Sequence, residues 1–312
     1  MNKRDLLLDL IAGQQPSAYT PAAFFMHFDP IYHQGQAAID KHLEFFSYTG
    51  MDFVKIQFEQ RLPPGATIRK PEDWAKVRLY SQDAFDTSAN LVKGLVRAAG
   101  KEALVLMTLY SPLMWAARAV EKSDLLVRHM RENPEAVNKG LAIMTANVIN
   151  LVRACKQAGV DGFYASTQGG EDFRFGGSPL FEQYIKPSDL AVWAELQSCT
   201  FNILHVCDYE GGYSTYSPFL DYPGQVVNCS LKLGERNLTP KEAAEMFGRP
   251  FMGGMERKGI LATGKPAEIR QAAQDLLAQA PERFILAADC TVPSETPWEN
   301  LKTAIETAHN RG

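Results

Sequence analysis

A histidine and a cysteine two residues apart, in Leu204-His205-Val206-Cys207, are the side chains of this 312-residue chain best placed to act together. The stretch Phe201 to Cys207 reads as a β-strand, and residues i and i+2 of a strand point to the same face. An imidazole nitrogen and a thiol sulfur would therefore sit side by side at the strand's end. Zinc accepts both donors, taking four ligands in a closed site or three where one position stays open to a substrate. Cys290, at the end of the last strand-like run, is the natural third donor. Taken alone, His-x-Cys is a weak pattern, and a buried histidine beside a small core cysteine is its ordinary reading.

These residues need elements to hold them. Eight short apolar runs rich in β-branched and aromatic residues alternate with stretches of helical period. The runs are Pro21 to Phe28, Met51 to Phe58, Glu102 to Leu109, Asp161 to Ser166, Phe201 to Cys207, Gln225 to Ser230, Pro250 to Met255 and Arg283 to Asp289. Helices are predicted over Ala37 to Tyr48, Ala84 to Ala99, Pro134 to Gly159, Thr239 to Phe247, Ala267 to Ala280 and Pro297 to His309, and an amphipathic one at the start. Thr239-Pro240 and Thr296-Pro297 each place a capping hydroxyl before a proline at the first helical position. Alternating strands and helices imply a parallel sheet, and eight units close into an α/β (β/α)8 TIM barrel of one domain over residues 1–312. An open doubly wound sheet would carry a Gly-rich phosphate turn after an early strand, and none is present.

In a barrel of this kind the chemistry sits at the C-terminal ends of the strands. Ligand-type and polar residues stand at every such end: His27 and Asp29, Gln57 and Glu59, Tyr110, Gln168 and Glu171, His205 and Cys207, Cys229, Glu256, Asp289 and Cys290. From this rim, Tyr110 and Glu256 are candidate catalytic residues; His27, Gln57, Gln168, Glu171 and Tyr209 are candidate substrate-binding residues. Each is equally readable as a loop residue bonded to backbone. His33, His42, His129 and His309 read as solvated, and Cys155 and Cys199 as small buried hydrophobes on helices.

A net charge of −4 with scattered Lys and Arg argues against nucleic acid as a partner. No apolar run approaches the ~20 residues that span a bilayer, and the expected address is the cytoplasm. The five cysteines match no disulfide framework, and a reducing compartment leaves them free as ligands or core residues.

The HVC stretch, Phe284 to Pro293 with Asp289-Cys290-Thr291, and the following Thr296-Pro297-Trp298-Glu299-Asn300 together resemble the uroporphyrinogen decarboxylase-like superfamily. Phe181 to Pro187 and Met252-Gly253-Gly254-Met255-Glu256 with Gly264-Lys265-Pro266 extend the likeness over nearly the whole chain. Within that superfamily the chain is most similar to the methylcobalamin:coenzyme M methyltransferases. The resemblance implies a distorted (β/α)8 barrel, with catalytic zinc on His205, Cys207 and Cys290. It also implies a small-molecule thiol acceptor, and a methyl donor that is methylcobalamin or a methylcorrinoid on a carrier protein. Two thiolates and a neutral imidazole leave zinc formally neutral, a setting in which an entering thiol loses its proton near neutral pH and stays nucleophilic.

Departures from the family pattern are informative. Decarboxylases carry an arginine-rich segment near the N-terminus, whereas no arginine lies between Arg4 and Arg61 here; a polycarboxylate would lack its bidentate partners there. Asp208 and Glu256 replace a Gly and an Asp of the methyltransferases. Cobalamin-independent methionine synthases add a Glu ligand near the position of Asn228-Cys229-Ser230, which makes Cys229 a candidate fourth ligand beside Glu256, water or substrate. Two alternatives stand: a uroporphyrinogen decarboxylase-like lyase acting on a tetrapyrrole, and a non-catalytic corrinoid- or tetrapyrrole-binding protein.

Overall fold

The computed structural model describes residues 2–14, 19–120 and 123–310. Along the chain run α1 (Lys3–Ile11), α2 (Gly35–Thr49), β1 (Phe53–Lys55), α3 (Asp86–Ala99), β2 (Leu104–Tyr110), α4 (Pro112–Ala117), α5 (Ser123–Glu132), α6 (Pro134–Gln157), β3 (Gly162–Thr167) and α7 (Lys186–Leu196). There follow β4 (Ile203–Val206), β5 (Val226–Cys229), the strands β6 (Lys232–Leu233) and β7 (Arg236–Asn237) of a small antiparallel hairpin, and α8 (Pro240–Phe247). The chain closes with β8 (Phe251–Met255), α9 (Ile260–Thr263), α10 (Pro266–Leu277), β9 (Phe284–Ala288) and α11 (Trp298–His309).

Among the described residues seven strands form one parallel sheet in the order β1-β2-β3-β4-β5-β8-β9. Buried on both faces, these strands are near-continuous apolar runs rather than alternating ones, as parallel sheets covered by helices require. The run predicted as the first strand, residues 21–28, is not one. It makes only isolated bridges, Ala22 with Leu286 and Met26 with Val292. It nevertheless fills the eighth position. On one side Ala23 N–H donates to Leu286 O at 3.0 Å; on the other, Asp52 N–H donates to Ala22 O at 3.0 Å and Phe28 N–H to Gln57 O at 3.2 Å. A regular ladder fails because side chains capture its donors: Ala22 N–H goes to Asp52 Oδ2 (2.7 Å) and Met26 N–H to Gln57 Oε1 (3.2 Å). The result is a distorted (β/α)8 barrel, closed by an irregular segment.

Helix starts obey their sequence signals unevenly. Thr239 forms a full capping box: its hydroxyl accepts from Glu242 N–H (3.2 Å), and its own N–H donates to Glu242 Oε2 (2.7 Å). Thr296 does not cap α11. Pro297 takes the N-cap position itself, and the Thr296 hydroxyl is buried without a partner among the described residues. The histidines predicted as solvated are mostly structural. His42 is buried, with Nδ1 donating to Ala38 O (2.6 Å) and Nε2 accepting from Gln57 N–H (2.9 Å). His129 is buried against Trp74, whose Nε1–H donates to it at 3.1 Å. His33 stacks on Phe58 and His309 pairs with Asp52. Their apolar flanks, unseen in local sequence, come from other elements. No helix among the described residues is long and apolar enough to cross a membrane.

Candidate metal centre

Three neighbouring strands send i, i+2 series into one cavity of about 630 Å³: Thr108 and Tyr110 from β2, Tyr164, Ser166 and Gln168 from β3 and just beyond, His205 and Cys207 from β4 and just beyond. Cys290 enters from the end of β9. The donor atoms of His205, Cys207 and Cys290 lie within 4.8 Å of one another, and all three residues are buried. The sulfurs of Cys207 and Cys290 are 4.0 Å apart; two thiolates on a tetrahedral zinc, with Zn–S bonds near 2.3 Å, stand about 3.8 Å apart.

The surroundings poise the two sulfurs around one shared proton. Gln168 Nε2–H donates to Cys207 Sγ at 3.5 Å; Arg174 in turn donates to Gln168 Oε1 at 3.0 Å and to Glu171 at 3.2 Å. Cys290 is held well below the usual thiol range, first by the hydrogen bond from Cys207, against burial, with His205 helping; Cys207, sharing that proton, is pushed up. His205 stacks on the Tyr164 ring at 4.8 Å, and its Nδ1 is buried with no hydrogen-bond partner among the described residues. An imidazole beside two sulfurs, with a buried ring nitrogen left without a hydrogen-bond partner among the described residues, fits a metal site, and the donor set is one that zinc takes.

The remaining candidates divide. Tyr110, Gln168, His27 and Tyr209 line the cavity. Tyr110 and His27 meet at Glu59: His27 Nε2 lies 2.8 Å from Glu59 Oε1, and the Tyr110 hydroxyl donates to the same carboxylate. Burial would raise Glu59, but these two partners and the charge of Lys55 hold it below the usual carboxylate range. Gln57 and Glu171 are buried behind the wall, Gln57 bonded to backbone and Glu171 to Arg174 and Gly169 N–H. Glu256 is exposed and lines a second cavity, so it joins neither the metal group nor this wall. Cys229 is not a fourth ligand either. On β5 it is Asn228 that meets the Tyr164 hydroxyl (2.6 Å), and the alternate residue Cys229 is buried outside the group, its thiol pushed up by burial. Among the described residues the metal group has three donors, with its remaining side on the cavity.

Three cations of this cavity escaped the sequence reading. Lys55, at the end of β1, is buried over the rings of Phe25 (4.2 Å) and Tyr164 (4.7 Å), and desolvation pulls it down to about 8. Its ammonium has no hydrogen-bond or ion-pair partner among the described residues. A lysine in the middle of the strand-like run from Met51 to Phe58, between Val54 and Ile56, was the available signal. Arg118 lies over the Tyr110 ring at 5.4 Å, and Arg61 stands on the loop beyond Glu59. The arginine-free stretch between Arg4 and Arg61 thus says little about the cavity, whose positive groups are Lys55 within that stretch and Arg61 and Arg118 at and beyond its end.

Known proteins agree with this architecture. Among solved structures the chain is similar to a methyltransferase from Methanosarcina mazei, with a TM-score of 0.80 at 16% identity over 99% of this chain and 98% of that one. It is also similar to a B12-independent methionine synthase from Shewanella sp. W3-18-1, with a TM-score of 0.60 at 12% identity over 94% and 96%. At such identities the likeness is one of fold. No curated protein gives a match. The family described as Uroporphyrinogen decarboxylase (URO-D) matches residues 49–311, a span running from before β1, through all three metal-group residues, to the end of α11. By that match this chain, with His205, Cys207 and Cys290 gathered at the strand ends of a distorted barrel, belongs to the uroporphyrinogen decarboxylase family.

Proposed function

We propose that the protein is a zinc-dependent methyltransferase that moves a methyl group from a methylated corrinoid to an anionic thiol. The observation that carries this reading is the group His205, Cys207 and Cys290, with no fourth protein donor among the described residues and its open side on the cavity. Zinc held there would supply a Lewis-acidic position at which a thiol sheds its proton near neutral pH and presents an electron-rich sulfur to a methyl carbon. Gln168 steadies the Cys207 sulfur from outside the ligand set, and Arg174 fixes Gln168. Lys55, Arg61 and Arg118 give the cavity positive charge for the acceptor's anionic end. Tyr110, Glu59 and the exposed His27 form a hydrogen-bonded path along which a proton released inside can reach solvent.

The donor, methylcobalamin or a methylcorrinoid on a carrier protein, would dock over the rim where Tyr209 is 60% exposed. A reducing compartment such as the cytoplasm suits the two thiols. The metal content of the purified protein tests the reading. About one zinc per chain is expected, lost in Cys290→Ala, together with zinc-dependent consumption of methylcobalamin in the presence of small anionic thiols. Wild-type protein that takes up no zinc sinks it. The same three cations favour a second reading, a carboxy-lyase acting on a polycarboxylate tetrapyrrole, and that activity would survive zinc removal.

A further inference from the structure

Cys207 follows β4 and Cys290 follows β9, with β5 and β8 lying between those strands in the sheet. No ladder bond links the two, so the backbone alone does not set the separation of their sulfurs. One side chain spans the gap. Arg257, just past β8, donates from the single nitrogen Nη1 to Asp208 Oδ1 at 2.8 Å and to Asp289 Oδ2 at 2.8 Å. Its backbone N–H adds a bond to Asp289 Oδ1 at 2.9 Å, and Asp289 N–H donates to Met255 O at 2.9 Å. Asp208 is the residue after Cys207, and Asp289 the residue before Cys290. Another tie, from Asn228 Nδ2 to Met252 O (2.8 Å) and Ala288 O (3.0 Å), joins β5, β8 and β9, but it does not reach the residue beside Cys207.

We propose that Arg257 is a positioning residue for the metal centre: by gripping the carboxylates adjacent to both cysteine ligands, it holds their sulfurs at the spacing a metal needs. This rests on the metal reading above. The three side chains are 11–16% exposed, so removing the guanidinium leaves two largely desolvated carboxylates facing each other beside two sulfurs. Like charges in that setting move apart, and the strand ends carry the ligands with them. The clamp lies on the wall of the second cavity, about 810 Å³, whereas the ligands open on the first. Arg257 therefore acts from behind the metal, out of reach of a substrate in the first cavity.

Charge and position make opposite predictions here. Deleting a cation near a dication site tightens binding if charge alone acts; losing the clamp weakens it. Zinc is titrated into metal-free wild type, Arg257→Met, Arg257→Lys and Asp208→Asn against a chromophoric chelator. The expected result is an affinity about 10- to 100-fold weaker in Arg257→Met, as for groups that orient metal ligands. Part is restored in Arg257→Lys, whose ammonium offers several donors on a shorter reach, and Asp208→Asn shows a smaller loss. In the cobalt-substituted protein the sulfur-to-cobalt and ligand-field bands shift in Arg257→Met and return toward wild type in Arg257→Lys. Unchanged or tighter zinc binding in a folded Arg257→Met overturns the proposal. Should that variant not fold, an Asp208→Asn with wild-type affinity does so. Wild type that binds no zinc overturns the metal reading as well, whereas tight binding by wild type and Arg257→Met alike overturns only the clamp.

Discussion

The side chain that decides how the cavity treats an anion is Lys55. Buried, without an acceptor and resting on two aromatic faces, it is an ammonium whose desolvation is offset only by ring quadrupoles and the more distant Glu59 and Cys290. A ligand carboxylate or sulfonate would satisfy it. Lys55→Met is expected to raise the KM for an anionic thiol by roughly 10- to 100-fold, the worth of one charge-assisted hydrogen bond, with a much smaller effect on a neutral thiol. Because burial holds this lysine at about 8, its charge is present below that value and lost above it. Wild-type KM for the anionic thiol should therefore climb as pH passes through about 8, and Lys55→Met should lack that rise. A variant with an unaltered KM and an unaltered profile would remove Lys55 from the site. His205 and Cys207 were legible in sequence because strand alternation is local; Lys55, Arg61 and Arg118 were not, because which face of a buried strand or loop meets the cavity depends on barrel closure.

Elements carry the ligands, and here α2 shows how tightly they are fitted. His42, on the inner face of that helix, accepts the Gln57 N–H at 2.9 Å and must stay neutral to do so. Burial pulls it down to about 4 from 6.5. The unfolded chain therefore binds the extra proton between those two values, so this contribution to stability is whole above about 6.5, declines as pH falls, and is gone by about 4. The change is on the order of 3 kcal/mol. Denaturant unfolding of wild type and His42→Gln at pH 7 and pH 4.5 should show a stability difference that shrinks toward the lower pH; a difference independent of pH would refute the assignment. The same contact explains one misreading. In sequence His42 sits between Lys41 and Leu43 and looks solvated, yet Phe28 and Phe58, whose rings pack on it, come from two segments outside its helix. Most of the long helices and seven of the eight strand-like runs were readable from period and punctuation. The irregular closure at residues 21–28 was not, since its cause is two side-chain acceptors, Asp52 and Gln57, that lie in another run.

At the scale of the whole molecule, Asp52 draws the two ends of the chain together. Its carboxylate accepts from the Tyr19 hydroxyl (2.6 Å), Ala22 N–H (2.7 Å) and His309 Nε2 (2.8 Å), joining the closing segment, the entry to β1 and the end of α11. Asp52→Ala removes three hydrogen bonds at this seam and takes the acceptor from the buried Ala22 N–H, and a loss of roughly 2–5 kcal/mol is expected. Amide exchange should accelerate in residues 19–28 and in α11 while β3 and β4 stay protected; uniform acceleration would show that the seam is not a separate unit. The barrel also divides its labour by backbone type. His205, Cys207 and Cys290 stand at the ends of β4 and β9, bridged by Arg257, while the cavity residues Arg61, Arg118 and His27 stand on a loop, a helix terminus and the closing segment. Loop residues can be exchanged or lengthened at little cost to the sheet. On the proposed reading, a lineage built on this plan can thus change which molecule receives the methyl group by redrawing its periphery, generation after generation, while the His/Cys/Cys group stays where the strands put it.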